Sequence, residues 1–127
     1  MPATYAAIRA VLGEVSHRRH DLAVRSLLDL GSGPGTGLWA ATNTFTGVAC
    51  ATHVEVDRSM SELARRLLAE TTVGARVQST WQHGDVSKQS KVMPHDLALV
   101  AYLLGEVSPD ARNQIVDAAW VVATGAL

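Results

Sequence analysis

Residues 27–37 read LLDLGSGPGTG, a short apolar segment followed by four glycines in seven residues. Glycine has no Cβ, so a chain places several together only where its backbone turns tightly or lies against another group. An apolar strand that ends in such a turn and continues into a helix is typical of α/β domains, which bind ligands at that turn. This segment constrains the fold more than any other in the chain.

The apolar pattern on either side of the glycines predicts alternating helices and strands. Helices are predicted over residues 2–19, 35–45 and 59–71 and from Ser108–Pro109 onward, and strands over residues 25–30, 51–56, 75–80 and 96–104. Strands that alternate with helices of this length indicate an α/β fold. We therefore expect a doubly wound, mostly parallel sheet with helices on both faces and a ligand at the carboxyl ends of its strands.

Helical spacing also predicts which side chains are buried. The predicted buried residues are Ile8, Val11, Leu12 and Val15 in the first helix, Met60, Leu63, Ala64, Leu67 and Leu68 in the third, and Ile115, Val116, Ala119 and Ala123 in the last. Trp39 and Trp120 lie on amphipathic helices and are predicted to be core residues. In the last helix, Ser108 is predicted as the N-cap and Pro109 as the first helical residue.

Composition excludes several classes of protein. The chain has 127 residues, 47% of them apolar and 18% charged, which predicts one packed domain. Its net charge of −1 gives no overall attraction to nucleic acid or to an anionic membrane. No uninterrupted apolar run reaches the length of a membrane span.

The single cysteine, Cys50, excludes an internal disulfide framework or a zinc ribbon built from this chain alone. It fits a reducing compartment, so we expect a cytoplasmic protein. The five histidines share no helical face, and we expect no metal site.

The glycine spacing distinguishes between ligands. A phosphate-binding P-loop requires a lysine near its glycines, and none is near here. A dinucleotide-binding G-x-G-x-x-G would place its last glycine at Thr36 or at Leu38, depending on the register, and neither fits. The segment instead has the pattern D-x-G-x-G-x-G, formed by Asp29 and the glycines at positions 31, 33 and 35.

This pattern resembles the first motif of class I S-adenosylmethionine-dependent methyltransferases. Three further segments resemble later motifs of that family in the expected order: VEVDRSMSELARRL, HGDV and HDLALVAYLLGEV. The resemblance implies the N-terminal half of a Rossmann-like class I methyltransferase fold, with S-adenosylmethionine as cofactor.

A narrower resemblance comes from MPATYAA, GSGPGTGLWAA and YLLGEV, which are similar to the small-ribosomal-subunit methyltransferase-like family of bacteria and mitochondria. It implies association with small-subunit rRNA or the ribosomal particle, and methylation of that rRNA. Members of that family continue with further strands and cysteine-rich metal-binding segments. We therefore expect residues 1–127 to form a single S-adenosylmethionine-binding domain that is truncated after strand four and its helix.

The resemblance assigns the methionine end of the cofactor to the first motif. Asp29 would bind the amino group of the cofactor. Its alternative is a structural function, in which it forms a hydrogen bond to the loop. Gly31, Gly33 and Gly35 would let the methionine part lie against the backbone, and otherwise form only a tight turn. Tyr5 and Arg9 would cover the cofactor from the first helix.

The resemblance assigns the nucleoside to two later segments. Asp57 would accept hydrogen bonds from both ribose hydroxyls, or would be a turn residue or the N-cap of the next helix. Glu55, two residues earlier, is its competitor for the ribose. Asp85 would bind the adenine amine, with the Val86 backbone nearby, or would be a turn residue. Tyr102 is the one candidate for a catalytic residue, since the end of strand four faces the methyl group, but packing explains it equally well.

Two functions of different classes follow. One is a methyltransferase that acts on small-subunit rRNA, and the other is a cofactor-binding assembly or scaffold protein of that subunit with little catalysis. A nicotinamide-dependent dehydrogenase is disfavoured by the glycine spacing. Because strand four would form an exposed edge, we also expect the chain to pair with a second copy or to be part of a longer protein.

Overall fold

The computed structural model describes residues 2–84, 94–101 and 108–122. In chain order the elements are α1 (Pro2–Arg18), β1 (Ser26–Leu30), α2 (Thr36–Thr44), β2 (Cys50–Glu55), α3 (Arg58–Ala69), α4 (Thr72–Arg76), β3 (Gln78–His83), β4 (Leu97–Val100) and α5 (Pro109–Val122). None of the helices in these ranges is both long enough and apolar enough to cross a bilayer.

The four strands form one parallel sheet in the order β3-β2-β1-β4. The chain adds β2 and β3 on one side of β1 and then returns to add β4 on the other. This reversal places a topological switch point at the carboxyl ends of β1 and β4, where ligands bind in open α/β sheets. The glycine loop follows β1, so it lies at this point.

Apolar side chains cover both faces of the sheet. On one face, Leu27 of β1 and Ala51 of β2 belong to a buried cluster with residues of α1, α2 and α3. On the other face, Leu28 and Val54 pack with Ile115 of α5. Alternate residues of β1 therefore serve opposite layers, and the predicted α/β fold with helices on both faces is confirmed.

The region around β3 differs from its prediction. A strand was expected over residues 75–80, but residues 72–76 form the short helix α4 and β3 begins at Gln78. The Thr71 hydroxyl caps α4 by accepting a hydrogen bond from Gly74 N at 3.1 Å. This local hydrogen bond stabilises one helical turn in a segment whose β-branched residues favour a strand.

Several predicted core residues lie at the surface instead. Val11, Val116 and Trp120 are 63%, 46% and 64% exposed, whereas their helix neighbours Leu12 and Ile115 are buried as predicted. In α3, Ala64 and Leu68 are buried, while Leu63 and Leu67 are more than one third exposed. Trp39 packs against the core as predicted, and Ala123 lies outside the described residues.

Two features of the C-terminal part agree with prediction. The Ser108 hydroxyl accepts a hydrogen bond from Ala111 N at 3.2 Å, so Ser108 caps α5 and Pro109 is its first residue. Within the described part of the chain, β4 pairs only with β1 and is therefore an edge of the sheet. Pairing of this edge with a second copy stays a prediction.

Candidate functional site

A cleft of about 440 Å³ lies at the carboxyl ends of β1 and β2. The glycine loop, the residues after β2 and side chains from α1 and α2 line it. Its volume falls within the range of about 300–1,000 Å³ that is usual for small-molecule sites. The predicted cofactor residues Asp29, Gly31, Gly33 and Asp57 all line this cleft.

A second concavity of about 450 Å³ lies at the opposite end of β1, between residues 22–25 and 44–47. Its described lining contains no carboxylate or histidine side chain. Parallel sheets bind ligands at the carboxyl ends of their strands, and this concavity is at the amino end. The cleft beside the glycine loop is therefore the better candidate.

The glycine loop has the backbone that its sequence predicted. Gly31, Gly33 and Gly35 have φ angles of 69°, 54° and 92°, in the left-handed region that side chains with a Cβ rarely adopt. The loop N–H groups are already bonded: those of Gly31 and Ser32 donate to the Val54 carbonyl at 2.8 and 3.2 Å. Residues 31–35 therefore receive a ligand through their shape rather than through free N–H groups.

Gly37 is a fourth constrained glycine, whose function could not be predicted from the sequence. A Cβ at this position would lie 2.6 Å from Leu99 Cδ2 and 2.9 Å from Asp29 Oδ2. Gly37 lies in the first turn of α2, so its missing side chain lets this helix approach β1 and β4 closely. The four-glycine run was the available signal for this contact.

Asp29 is a buried carboxylate that faces the cleft. Its side chain is almost fully buried in β1, and its Oδ2 has no hydrogen-bond partner within the described chain. The predicted alternative, a structural hydrogen bond to the loop, is therefore absent at this oxygen. A buried carboxylate requires a donor or a cation, because burial removes its hydration. Asp29 lines the cleft, so a ligand bound there can supply a donor to this carboxylate.

Asp57 is the N-cap of α3, which was one of the predicted alternatives to ribose binding. Its Oδ1 accepts hydrogen bonds from Ser59 N at 2.9 Å and from Met60 N at 3.3 Å. No described residue donates a hydrogen bond to its Oδ2, and the residue lines the cleft. Capping therefore orients the carboxylate and leaves one oxygen open to a ligand, so the two interpretations of Asp57 are compatible.

Glu55 ties the two halves of the cleft together. Its Oε1 accepts a hydrogen bond from Gly33 N at 2.7 Å, and its Oε2 accepts one from Asp57 N at 2.9 Å. Both carboxylate oxygens thus bind backbone N–H groups within the site. Glu55, expected as the competitor of Asp57 for ribose, instead joins the glycine loop to the end of β2.

We expect Glu55→Gln to destabilise the protein by about 1–2 kcal/mol, since an amide has one acceptor oxygen and leaves one backbone N–H without a partner. Urea unfolding followed by circular dichroism measures the change. The matched control is Glu62→Gln on the exposed side of α3, which should change stability by less than about 0.5 kcal/mol. Equal stability of the two variants would show that the Glu55 bonds are dispensable.

Other predicted site residues fall outside the cleft or outside the described chain. Tyr5 accepts a hydrogen bond from Asn43 Nδ2 at 2.7 Å and packs against α2, and neither it nor Arg9 lines the cleft. Thr4 and Ile8 of α1 line it in their place.

Asp85, Val86 and Tyr102 lie outside the described residues, so the expected adenine contacts and the catalytic candidate stay predictions. Within the described ranges, no group of three or more His, Cys, Asp or Glu side chains could hold a metal ion.

The cleft is acidic. Its described lining contains the three carboxylates of Asp29, Glu55 and Asp57 and no lysine or arginine. Glu55 bonds to backbone N–H groups through both of its oxygens, and Asp57 caps α3 through one of its two. The electrostatic field of such a lining favours a cationic ligand and opposes a phosphate.

The fold is shared with solved methyltransferase structures. An S-adenosylmethionine-dependent methyltransferase from Clostridium acetobutylicum matches with a TM-score of 0.76 and 15% identity over 94% of this chain and 46% of that one. Magnesium protoporphyrin IX methyltransferase from Synechocystis, with bound S-adenosylmethionine, matches with a TM-score of 0.73 and 14% identity over 94% and 54%.

The glycopeptide N-methyltransferase MtfA, complexed with S-adenosylmethionine, matches with a TM-score of 0.69 and 18% identity over 89% of this chain and 46% of that one. The chain therefore spans roughly half the length of these structures. It has the Rossmann-like fold of class I methyltransferases over that half.

Sequence comparison gives the family. No curated protein matches the chain significantly. The family profile described as "Mitochondrial small ribosomal subunit Rsm22" matches residues 1–127, which is the whole chain. The chain belongs to the Rsm22 family.

Proposed function

We propose that this chain binds S-adenosylmethionine in the acidic cleft, as part of an enzyme that transfers the methyl group to small-subunit rRNA. The observation that carries the proposal is the buried Asp29 carboxylate, which lines an acidic cleft of suitable size. Support comes from the methyltransferase fold and from the ribosomal description of the family.

Charge supports this cofactor over a dinucleotide. S-adenosylmethionine carries an ammonium and a sulfonium against one carboxylate, so its net charge is positive. NAD carries a negatively charged pyrophosphate, which would lie against Asp29 and Asp57 with no lysine or arginine in the described lining. Like charges held close together in a partly dehydrated site are unfavourable.

The described residues fit the parts of the cofactor. Asp29 would bind the ammonium, and the first turn of α2, which has no side-chain cap, would receive the carboxylate. The Oδ2 of Asp57 would accept hydrogen bonds from the ribose hydroxyls. Val56, which is 62% exposed, and Met60 line the same cleft and offer an apolar surface for a purine ring.

The bound cofactor would supply an activated methyl group, so the protein needs no nucleophile of its own. The contribution of this chain is orientation. Asp29 and Asp57 would fix the two ends of the ligand, while the left-handed glycines keep the space between them open. Holding two reactants in line for displacement is worth several kcal/mol, about 7–11 in the best intramolecular cases.

Isothermal titration calorimetry of the full-length protein tests the cofactor. We expect saturable binding of S-adenosylmethionine and none of NAD, because the acidic lining repels the pyrophosphate. Binding should also weaken as salt is raised, since part of the attraction is electrostatic. Heat with NAD and none with S-adenosylmethionine would overturn the proposal.

A cofactor-binding scaffold of the small ribosomal subunit is the second candidate. The family description, which names the small ribosomal subunit itself, favours it. Transfer of labelled methyl from S-adenosylmethionine to small-subunit RNA by the full-length protein separates the two. Labelled RNA supports the enzyme, whereas cofactor binding and particle association without transfer support the scaffold.

A cytoplasmic location stays a prediction that the single cysteine supports.

A further inference from the structure

A row of polar side chains crosses the sheet beneath the α1–α3 layer. Asp29 of β1 is in register with His53 of β2, and Ser79 of β3, which is in register with Ala51, contacts the His53 ring. His53 is fully buried, and its Nδ1 lies 3.8 Å from Asp29 Oδ2. Neither of these two atoms has a hydrogen-bond partner within the described residues, although both are buried. A buried polar pair of this kind calls for an explanation, because such atoms are nearly always bonded.

The His53 ring is held on two sides. It stacks on Trp81 with ring centroids 4.1 Å apart and an interplanar angle of 15°. Its Nε2 lies 3.2 Å from the Ser79 hydroxyl. A carboxylate only accepts hydrogen bonds, so His53 can bond to Asp29 only in the tautomer that carries its proton on Nδ1. In that tautomer Nε2 accepts a hydrogen bond from the Ser79 hydroxyl, so the contact with Ser79 favours the arrangement that aims Nδ1–H at Asp29.

We propose that His53 is a positioning residue for cofactor recognition, which orients the Asp29 carboxylate toward the amino group of the ligand. This inference rests on the proposed function. A distance of 3.8 Å is longer than a hydrogen bond, and a movement of Asp29 by less than about 1 Å closes it. With Oδ2 held by His53, Oδ1 is left for the ligand. Supporting bonds of this type keep a binding group in its productive geometry.

Calorimetry with two ligands tests this inference in the full-length protein. S-adenosylhomocysteine has the amino group, and its deaminated analogue has hydrogen in that place. The wild type should prefer the amine. In His53→Leu this preference should fall about tenfold, through weaker binding of S-adenosylhomocysteine alone, since one hydrogen bond to a charged group is lost. His53→Asn should retain the preference, because its side-chain amide places an N–H near the position of Nδ1.

Ser79→Ala is a milder variant, since Ser79 is only half-buried. It should lower the same preference by a smaller factor, because the tautomer with its proton on Nδ1 is no longer favoured. Equal losses for both ligands, or an unchanged preference in His53→Leu, would overturn the inference while leaving the proposed function intact. A wild type that binds S-adenosylhomocysteine no better than the deaminated analogue would overturn it as well. A wild type that binds neither ligand would overturn the proposed function itself.

Discussion

Gly37→Ala should lower both the free energy of unfolding and the affinity for S-adenosylmethionine. The new Cβ would lie 2.6 Å from Leu99 Cδ2 and 2.9 Å from Asp29 Oδ2, well inside van der Waals contact. Leu99 can rotate, but Asp29 is enclosed in β1, so α2 or the carboxylate must move. Overpacking of this kind costs about 1–3 kcal/mol, against a gain of about 1 kcal/mol in helix propensity.

The effect on binding follows from the group that the new methyl displaces. Asp29 is the proposed partner of the ammonium, and a shift of its carboxylate should weaken binding about tenfold or more, which corresponds to about 1.4 kcal/mol. Urea unfolding measures stability, and calorimetry with S-adenosylmethionine measures affinity. Both losses are expected together, because one contact produces them.

Gly13→Ala is the matched control. Gly13 lies in α1, and among the described residues a Cβ there would meet only Arg9 Nη1, at an ordinary 3.5 Å. Alanine should therefore stabilise this helix by up to about 1 kcal/mol and leave cofactor affinity unchanged. If Gly37→Ala behaved like Gly13→Ala, the close approach of α2 to Asp29 would have no energetic consequence.

The glycine loop was the part of the site that sequence predicted best. Three glycines at alternate positions after a strand could be assigned to a tight turn, and Gly31, Gly33 and Gly35 all adopt positive φ angles. Backbone strain is local, so the sequence reveals it. The restriction at Gly37 arises from Leu99, which is distant in the chain and comes close only through the pairing of β1 with β4.

The predictions of buried helix residues that were wrong also failed because of tertiary structure. Periodicity identifies which side chains share a helix face, but the packing angle of the helix decides where the buried stripe ends. Leu12 and Ile115 lie at the centres of their stripes and are buried, while Val11, Val116 and Trp120 lie at the margins and are exposed. Only the tertiary arrangement separates these two sets.

The functions of the two acids at the carboxyl end of β2 also required the structure. Glu55 and Asp57 were both candidates for ribose, since residues two apart in a strand point the same way. The structure separates them by their hydrogen bonds. Glu55 uses both oxygens on backbone N–H groups, whereas Asp57 uses only Oδ1. A difference of one free oxygen is invisible in the sequence VEVD.

Asp57→Ala should reduce the affinity for S-adenosylmethionine about 100-fold, or about 2.7 kcal/mol, because the ribose hydroxyls lose a charged acceptor. The same change removes the cap of α3 and should lower the free energy of unfolding by about 1 kcal/mol. Calorimetry and urea unfolding measure the two effects separately. Capping and ligand binding use different oxygens of one carboxylate. A second variant can therefore separate the effect on stability from the effect on affinity.

Asp57→Asn is that variant. Asparagine caps helices as well as aspartate does, so stability should match the wild type. Its amide offers one neutral acceptor, and with that oxygen on the cap the NH₂ group would face the ribose, so affinity should fall about tenfold or more. A loss of stability in Asp57→Ala without any loss of affinity in either variant would reduce Asp57 to a helix cap, and the nucleoside would then have to be held by other residues.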